Sequence, residues 1–246
     1  MFSEKLLLRL KHASQLTIMT GAGVSAESGV PTFRGKDGLW NNYDVQQLAT
    51  PQSLRDNTEI FWKFYNWRRE LLEKVKPNLG HYALVDMENF FEHFTLITQN
   101  VDNLHRIAGN KNVLEIHGNI MNSYCIDCGE RIEGIDGFPK TESIPRCHQC
   151  GGFMRPDVVL FGEHLDPQRL HQAQEAAATC EVFLSIGTSA VVEPAASLPY
   201  IAKGNGAYIV EINAEKTPLT DNADESLIGQ TGKILPLLIM ALDKMR

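Results

Sequence analysis

Four cysteines stand as two C-x-x-C pairs, Cys125 with Cys128 and Cys147 with Cys150, separated by eighteen residues. Four thiolates at zinc-ribbon spacing can close a tetrahedral site around one zinc ion. Sulfur then fills every coordination position, so the site is structural and leaves no place for substrate. Gly129 and Gly151 follow the pairs and allow the tight knuckle that turns two sulfurs toward one ion. His148, inside the second pair, is the competing ligand. Neither pair sits at a helix start behind a strand, where a redox pair would be expected. Cys180 reads as a small buried residue.

A second group of residues has the chemistry to hold a nucleotide. The apolar, β-branched run 16–20 ends in Gly21-Ala22-Gly23, with Ser25 to Ser28 as a helix start. Strand, glycine turn and helix is the layout that offers backbone N–H groups to a pyrophosphate. The match to G-x-G-x-x-G is partial because Gly29 comes later than the pattern's third glycine, and a tight turn with no ligand is the other reading. A second apolar run, 94–98, ends in Gln99-Asn100-Val101-Asp102, and a third, 113–116, ends in His117-Gly118. Open parallel sheets bind ligands at the carboxyl ends of their strands. His117 is the candidate general base there. A lone histidine is more often structural, but three strand ends converging on one ligand favour the catalytic role. His81 and His105 fall inside helical patterns and read as packing or capping residues.

Those strand ends need a scaffold. The chain has 246 residues, room for one large domain with a small satellite. Leu6, Leu7, Leu10 and Ala13 at helical spacing make residues 1–15 a first amphipathic helix rather than a targeting peptide. Residues 59–74 and 79–91 read as helices, the first stopped by Pro77 and the second capped by residues 77–80. Strands at 157–161, 181–186 and 207–212 follow, with helices at 165–179 and from 233 onward. The expected fold is α/β: a Rossmann-like parallel sheet with helices on both faces plus an inserted small zinc-binding module. The expected parts are a core of residues 1–35, 92–118 and 156–246, a helical segment 36–91 and a zinc-ribbon module 119–155. The net charge of −7 argues against nucleic-acid binding, and no apolar run is long enough to span a membrane. Paired cysteines without a secretion signal point to a reducing, cytoplasmic setting.

Taken together the motifs resemble the sirtuins, the NAD-dependent protein-lysine deacylases. The resemblance is carried, in order, by residues 21–29, Pro31-Thr32-Phe33-Arg34-Gly35, Thr98 to Asp102, His117-Gly118, the two cysteine pairs, Phe161-Gly162-Glu163, Gly187-Thr188-Ser189 and Asn213-Ala214-Glu215. It spans nearly the whole chain. It implies NAD as co-substrate, structural zinc, and an acyl-lysine protein or peptide as the other substrate. It also implies a mechanism. The acyl oxygen attacks the nicotinamide ribose as nicotinamide leaves. His117 then acts as base on a ribose hydroxyl, a cyclic intermediate closes, and water releases lysine and O-acyl-ADP-ribose. Asn100 and Asp102 join His117 as catalytic residues, with Asp102 gripping the nicotinamide carboxamide. NAD would be held by Gly21, Ala22, Gly23, Glu27, Thr32, Phe33, Arg34, Trp40, Gln99, Asn100, Val101, Asp102, Gly187, Thr188, Ser189, Asn213, Ala214, Glu215 and Thr231. Phe33 would shield the reactive carbon from water and Arg34 would meet phosphate. Val159, Phe161, Gly162, Glu163 and Val192 would sandwich an extended peptide by strand addition.

The acyl group is addressed by Tyr65 and Arg68, three residues apart and so on one helix face. Tyr-x-x-Arg here is similar to the sirtuin branch that removes succinyl, malonyl and glutaryl groups, and small Ala49 leaves room for the longer chain. A terminal carboxylate needs a cation and a hydroxyl at the end of its pocket. Without the resemblance, Tyr65 would pack and Arg68 would be a solvated charge. The alternatives within the fold are a deacetylase or a mono-ADP-ribosyltransferase. A zinc-containing NAD oxidoreductase would want an acidic residue about twenty positions past the glycine turn. Asp44 is near that distance but follows no strand. A zinc-ribbon nucleic-acid binder would want basic residues that the module lacks.

Overall fold

Short apolar runs bounded by glycine become strands, and runs with apolar residues at three- and four-residue spacing become helices. A computed structural model describes residues 2–32, 44–134 and 144–245. In chain order these form α1 (Glu4–His12), β1 (Gln15–Thr20), α2 (Ala22–Ala26), α3 (Val45–Leu48), α4 (Pro51–Asp56), α5 (Thr58–Glu73), α6 (Leu79–Phe90), β2 (His93–Thr98), α7 (Leu104–Ala108), β3 (Val113–Glu115), β4 (Gly118–Cys125), β5 (Arg131–Ile132), β6 (Met154–Val158), α8 (Pro167–Thr179), β7 (Val182–Ile186), α9 (Leu198–Gly204), β8 (Tyr208–Asn213), β9 (Glu225–Ile228) and α10 (Thr231–Asp243). Local chemistry sets several starts. The Ser3 hydroxyl accepts from the Leu6 amide to cap α1, Thr50 and Ser53 form a capping box on α4, and Asp166 caps α8 ahead of Pro167.

Six strands make one parallel sheet in the order β3-β2-β1-β7-β8-β9. Its direction of winding reverses between β1 and β7, so the crevice of a doubly wound fold opens beyond their carboxyl ends. The central strands β1, β7 and β8 are buried on both faces, and alternate residues go to opposite sides. Ile18, Leu96, Leu184 and Val210 pack under α1, α6 and α10, while Met19, Ile97, Phe183 and Ile209 pack under α8 and α9.

A second, antiparallel sheet has the order β5-β4-β6. Here the structure departs from the expected strand at 157–161. That ladder covers Met154–Val158 and joins the small sheet rather than the parallel one. Its core is shared with the helical insertion: Leu54, Phe61, Trp62, Phe64 and Tyr65 pack with Ile120, Cys125, Cys147, Met154 and Val158. Arg69 of α5 fastens the two, its guanidinium donating to the Ile120 carbonyl at 2.7 Å and the Ser123 hydroxyl at 2.8 Å.

Two further differences concern local structure. The first helix after the glycine turn begins at Ala22 rather than Ser25. Elements α9 and β9 were not expected; β9 is a four-residue edge strand with no fully buried position.

Candidate active site

The glycine turn is built by a close approach of backbone to backbone. Gly21 N donates to the Ile186 carbonyl at 3.0 Å, and Gly23 N to the Gly187 carbonyl at 2.9 Å. A Cβ on Gly23 would fall 2.8 Å from Gly187 backbone atoms, and Gly187 itself has φ +62° with Val24 N 2.6 Å from its would-be Cβ. The glycines therefore join the ends of β1 and β7 directly as well as leaving the floor of the crevice bare.

Above this junction lies a cleft of about 1420 Å³. That exceeds the usual range for one drug-sized ligand, roughly 300–1,000 Å³. Every described residue assigned from the sequence to NAD or to acyl-lysine lines it, Asp102 excepted. Phe33, Arg34 and Trp40 lie outside the described residues. Asp102 sits one layer behind the wall, 5% exposed, its carboxylate accepting from the Ser25 hydroxyl at 2.6 Å and the Leu104 amide at 3.0 Å. Burial raises its pKa, opposed by those bonds and by the Arg68 charge. Asn100 spans the same layer, its side-chain amide donating to the Gly21 carbonyl at 3.0 Å and to Ser25 Oγ at 3.2 Å. Ser25 is thus a hub that no motif in the sequence singles out for that role.

His117 faces the cleft from the end of β3, with Nδ1 3.0 Å from the Gln99 carbonyl. A carbonyl only accepts, so Nδ1 carries the proton and Nε2 is left as the basic nitrogen. Burial pushes the imidazole pKa below its ordinary value, with the Gln99 bond opposing. The ring is therefore neutral at pH 7, the form a general base requires.

Tyr65, Arg68 and Ala49, assigned from the sequence to the acyl group, line the same cleft as His117. The Tyr65 ring packs 4.6 Å from Phe61, and burial pushes its hydroxyl up to about 12. Burial lowers the Arg68 pKa, and the neighbouring Tyr65 and Asp102 act to keep it charged. Glu163 is engaged by a bidentate pair with Arg155 at 2.6 and 2.8 Å and by the Leu160 amide at 2.9 Å. Its carboxylate therefore braces the segment 158–163 of the cleft wall. Sequence reasoning missed Lys216, Thr217, Pro218, Gly229 and Gln230, which also line the cleft. The last two follow β9, the edge strand the sequence hid.

His81 and His105 combine packing and capping roles. Their rings pack with centroids 4.9 Å apart and planes inclined by 54°, His81 Nδ1 accepts from the Asn78 amide at 3.3 Å, and His105 Nε2 lies 2.9 Å from Thr20 Oγ1. Burial lowers both, His81 to about 4 and His105 well below the ordinary value. The unfolded chain takes up these protons as pH falls below about 6.5, and the folded chain does not. Stability is therefore lost progressively from about pH 6.5 down toward pH 4, by about 3 kcal/mol for His81 alone. Denaturant titrations across this window should give a shallower stability–pH slope for His105→Gln than for the native chain. An unchanged slope would remove the pair as its source.

The four cysteine sulfurs lie within 4.8 Å of one another, with Cys125–Cys150 at 3.5 Å and Cys128–Cys147 at 3.6 Å. Tetrahedral sulfur around zinc at about 2.3 Å puts neighbouring sulfurs about 3.8 Å apart, so the donor set fits. The Gln149 and Gly152 amides each point at a cysteine sulfur at 3.4 Å, and Gly129 and Gly151 adopt φ +76° and +75°. His148 is outside the cluster.

A profile described as the Sir2 family matches residues 21–194. An NAD-dependent protein deacylase of Aquifex aeolicus is 51% identical over 210 residues, covering 85% of this chain and 87% of that protein. Among solved structures, a Sir2 homolog–NAD complex has a TM-score of 0.93 at 45% identity, covering 100% of this chain and 95% of that one. A Sir2 mutant with a deacetylated p53 peptide and 3′-O-acetyl ADP-ribose has a TM-score of 0.86 at 30% identity, covering 98% of each chain.

Proposed function

Since this chain belongs to the Sir2 family, we propose that it works as an NAD-dependent protein deacylase with a preference for lysines carrying succinyl or malonyl groups. The observation that carries the reading is a convergence. One cleft at the β1–β7 crossover is lined by the glycine turn, by Asn100 and by His117, and also by Tyr65 and Arg68. Bound NAD supplies an electrophilic ribose carbon and a nicotinamide leaving group. The Gly21 and Gly187 turns receive its phosphates on bare backbone, and residues 213–215 hold its adenosine end. Val159, Phe161 and Val192 clasp the peptide as an added strand. His117 Nε2 takes the proton from a ribose hydroxyl, and Asn100, tied to Gly21 and Ser25, fixes the amide face that meets the sugar. Asp102 acts from behind the wall, orienting Ser25 and the Leu104 turn. The acyl group leaves on ADP-ribose.

Preference for an acidic acyl chain rests on Arg68 and Tyr65. A carboxylate reaching them forms charge-assisted bonds worth roughly 1.5–3 kcal/mol each in a partly desolvated site. Arg68→Met should lower turnover of a succinyl-lysine peptide by roughly tenfold or more and leave the matched acetyl peptide unchanged or faster. Rates on acetyl, malonyl, succinyl and glutaryl versions of one peptide, read by mass spectrometry, check this. A parallel fall on every version would mean that Arg68 serves the fold, and the chain would then be a general deacylase.

A further inference from the structure

One buried acid takes no part in the chemistry described so far. Glu211 lies in β8 between the apolar Val210 and Ile212 and is 2% exposed. Among the described residues, hydroxyls rather than a cation satisfy it. Thr217 donates to Oε1, while Thr220 donates to Oε2 at 2.6 Å and Ser226 at 3.1 Å. Two of these hydroxyls then accept from the backbone: Thr220 Oγ1 from the Thr217 amide at 2.8 Å, and Thr217 Oγ1 from the Leu219 amide at 3.1 Å. The carboxylate is the centre around which residues 217–220 are wound. Lys216, Thr217 and Pro218 are also the part of the cleft wall that continues from Asn213, Ala214 and Glu215.

For packing alone, an apolar side chain would serve this strand position as well, because a buried carboxylate carries a desolvation penalty. A carboxylate accepts several hydroxyls at fixed directions, and that sets the shape of a turn. We propose that Glu211 is a positioning residue for the co-substrate: by ordering residues 214–220 it prepares the wall against which the adenosine half of NAD rests. This rests on the reading that NAD occupies the cleft.

The test uses the full zinc-loaded chain, with NAD itself as the probe. Calorimetry gives the NAD Kd, and steady-state kinetics give KM for NAD, KM for the acyl peptide and kcat. Glu211→Ala should raise both NAD constants roughly tenfold, the size expected for losing a charge-assisted anchor. Glu211→Gln, which keeps one acceptor oxygen, should raise them less. Peptide KM and kcat at saturating NAD should stay near native. Thr220→Val removes one spoke without touching the strand, so it should move the same constants and carries the test if the Glu211 variants do not fold. Native NAD constants in Glu211→Gln and Thr220→Val, with only the melting temperature lowered, would overturn the proposal. Failure of the native chain to bind NAD would instead overturn the reading of the cleft.

Discussion

His117→Ala should lower deacylation by about 10²–10⁴-fold, the range for removing a positioned general base, while NAD still binds with near-native affinity. The separation is expected because the floor proposed to meet the phosphates is the backbone of the Gly21 and Gly187 turns, which owes nothing to the imidazole. The Gln99 carbonyl fixes the tautomer, and burial holds the ring's pKa below its ordinary value. The base works in its neutral form. Native kcat/KM should therefore be level at neutral and mildly alkaline pH and fall on the acid side, with a midpoint below about 6.5. The acid limb should be absent from the residual activity of His117→Ala. Single-turnover assays with saturating NAD, alongside calorimetry, separate the two effects. Near-native turnover in the variant would remove His117 from the chemistry.

Loss of the metal should have a comparably large effect by a different route. Structural zinc in small modules binds with an apparent free energy of about 10–16 kcal/mol, and that energy is folding energy. Cys125 and Cys147 are buried in the cluster that also holds Leu54, Phe61 and Tyr65. Unfolding of the module is therefore expected to spread into α4 and α5 and to displace Tyr65 and Arg68. Cys125→Ser, or stripping with a strong chelator, should abolish turnover and lose near-ultraviolet dichroism from the small lobe, with one zinc released per chain. Far-ultraviolet signal from the parallel sheet should largely persist, since its core is separate. A zinc-free protein with native turnover would contradict a structural role for the ion.

What could be read from the sequence follows the strength of its local signals. Strands β1, β2, β7 and β8 are largely buried, so each is a mostly apolar or β-branched run ending at glycine or an amide, and each was legible within a residue or two. The cysteine spacing was legible because four ligands around one ion leave little freedom. Strand β9, Glu-Ser-Leu-Ile, is a short edge with mixed polarity and gives neither period. Met154–Val158 was assigned to later residues because a strand signal says nothing about which sheet it joins, and Arg155 and Pro156 interrupt the apolar pattern. The retreat of Asp102 behind the cleft wall follows from its bonds to Ser25 and Leu104, contacts set by tertiary structure. The same holds for the Gly23–Gly187 junction: a glycine motif announces a close approach without saying what approaches.

The most direct measurement follows products rather than substrate loss. The purified chain is given NAD and a succinyl-lysine peptide, and nicotinamide, unmodified peptide and acyl-ADP-ribose are quantified together by mass spectrometry. A 1:1:1 yield that vanishes when NAD is omitted is the predicted result. Release of free succinate without NAD consumption, or transfer of the ADP-ribosyl group onto protein with the acyl-lysine intact, would contradict it.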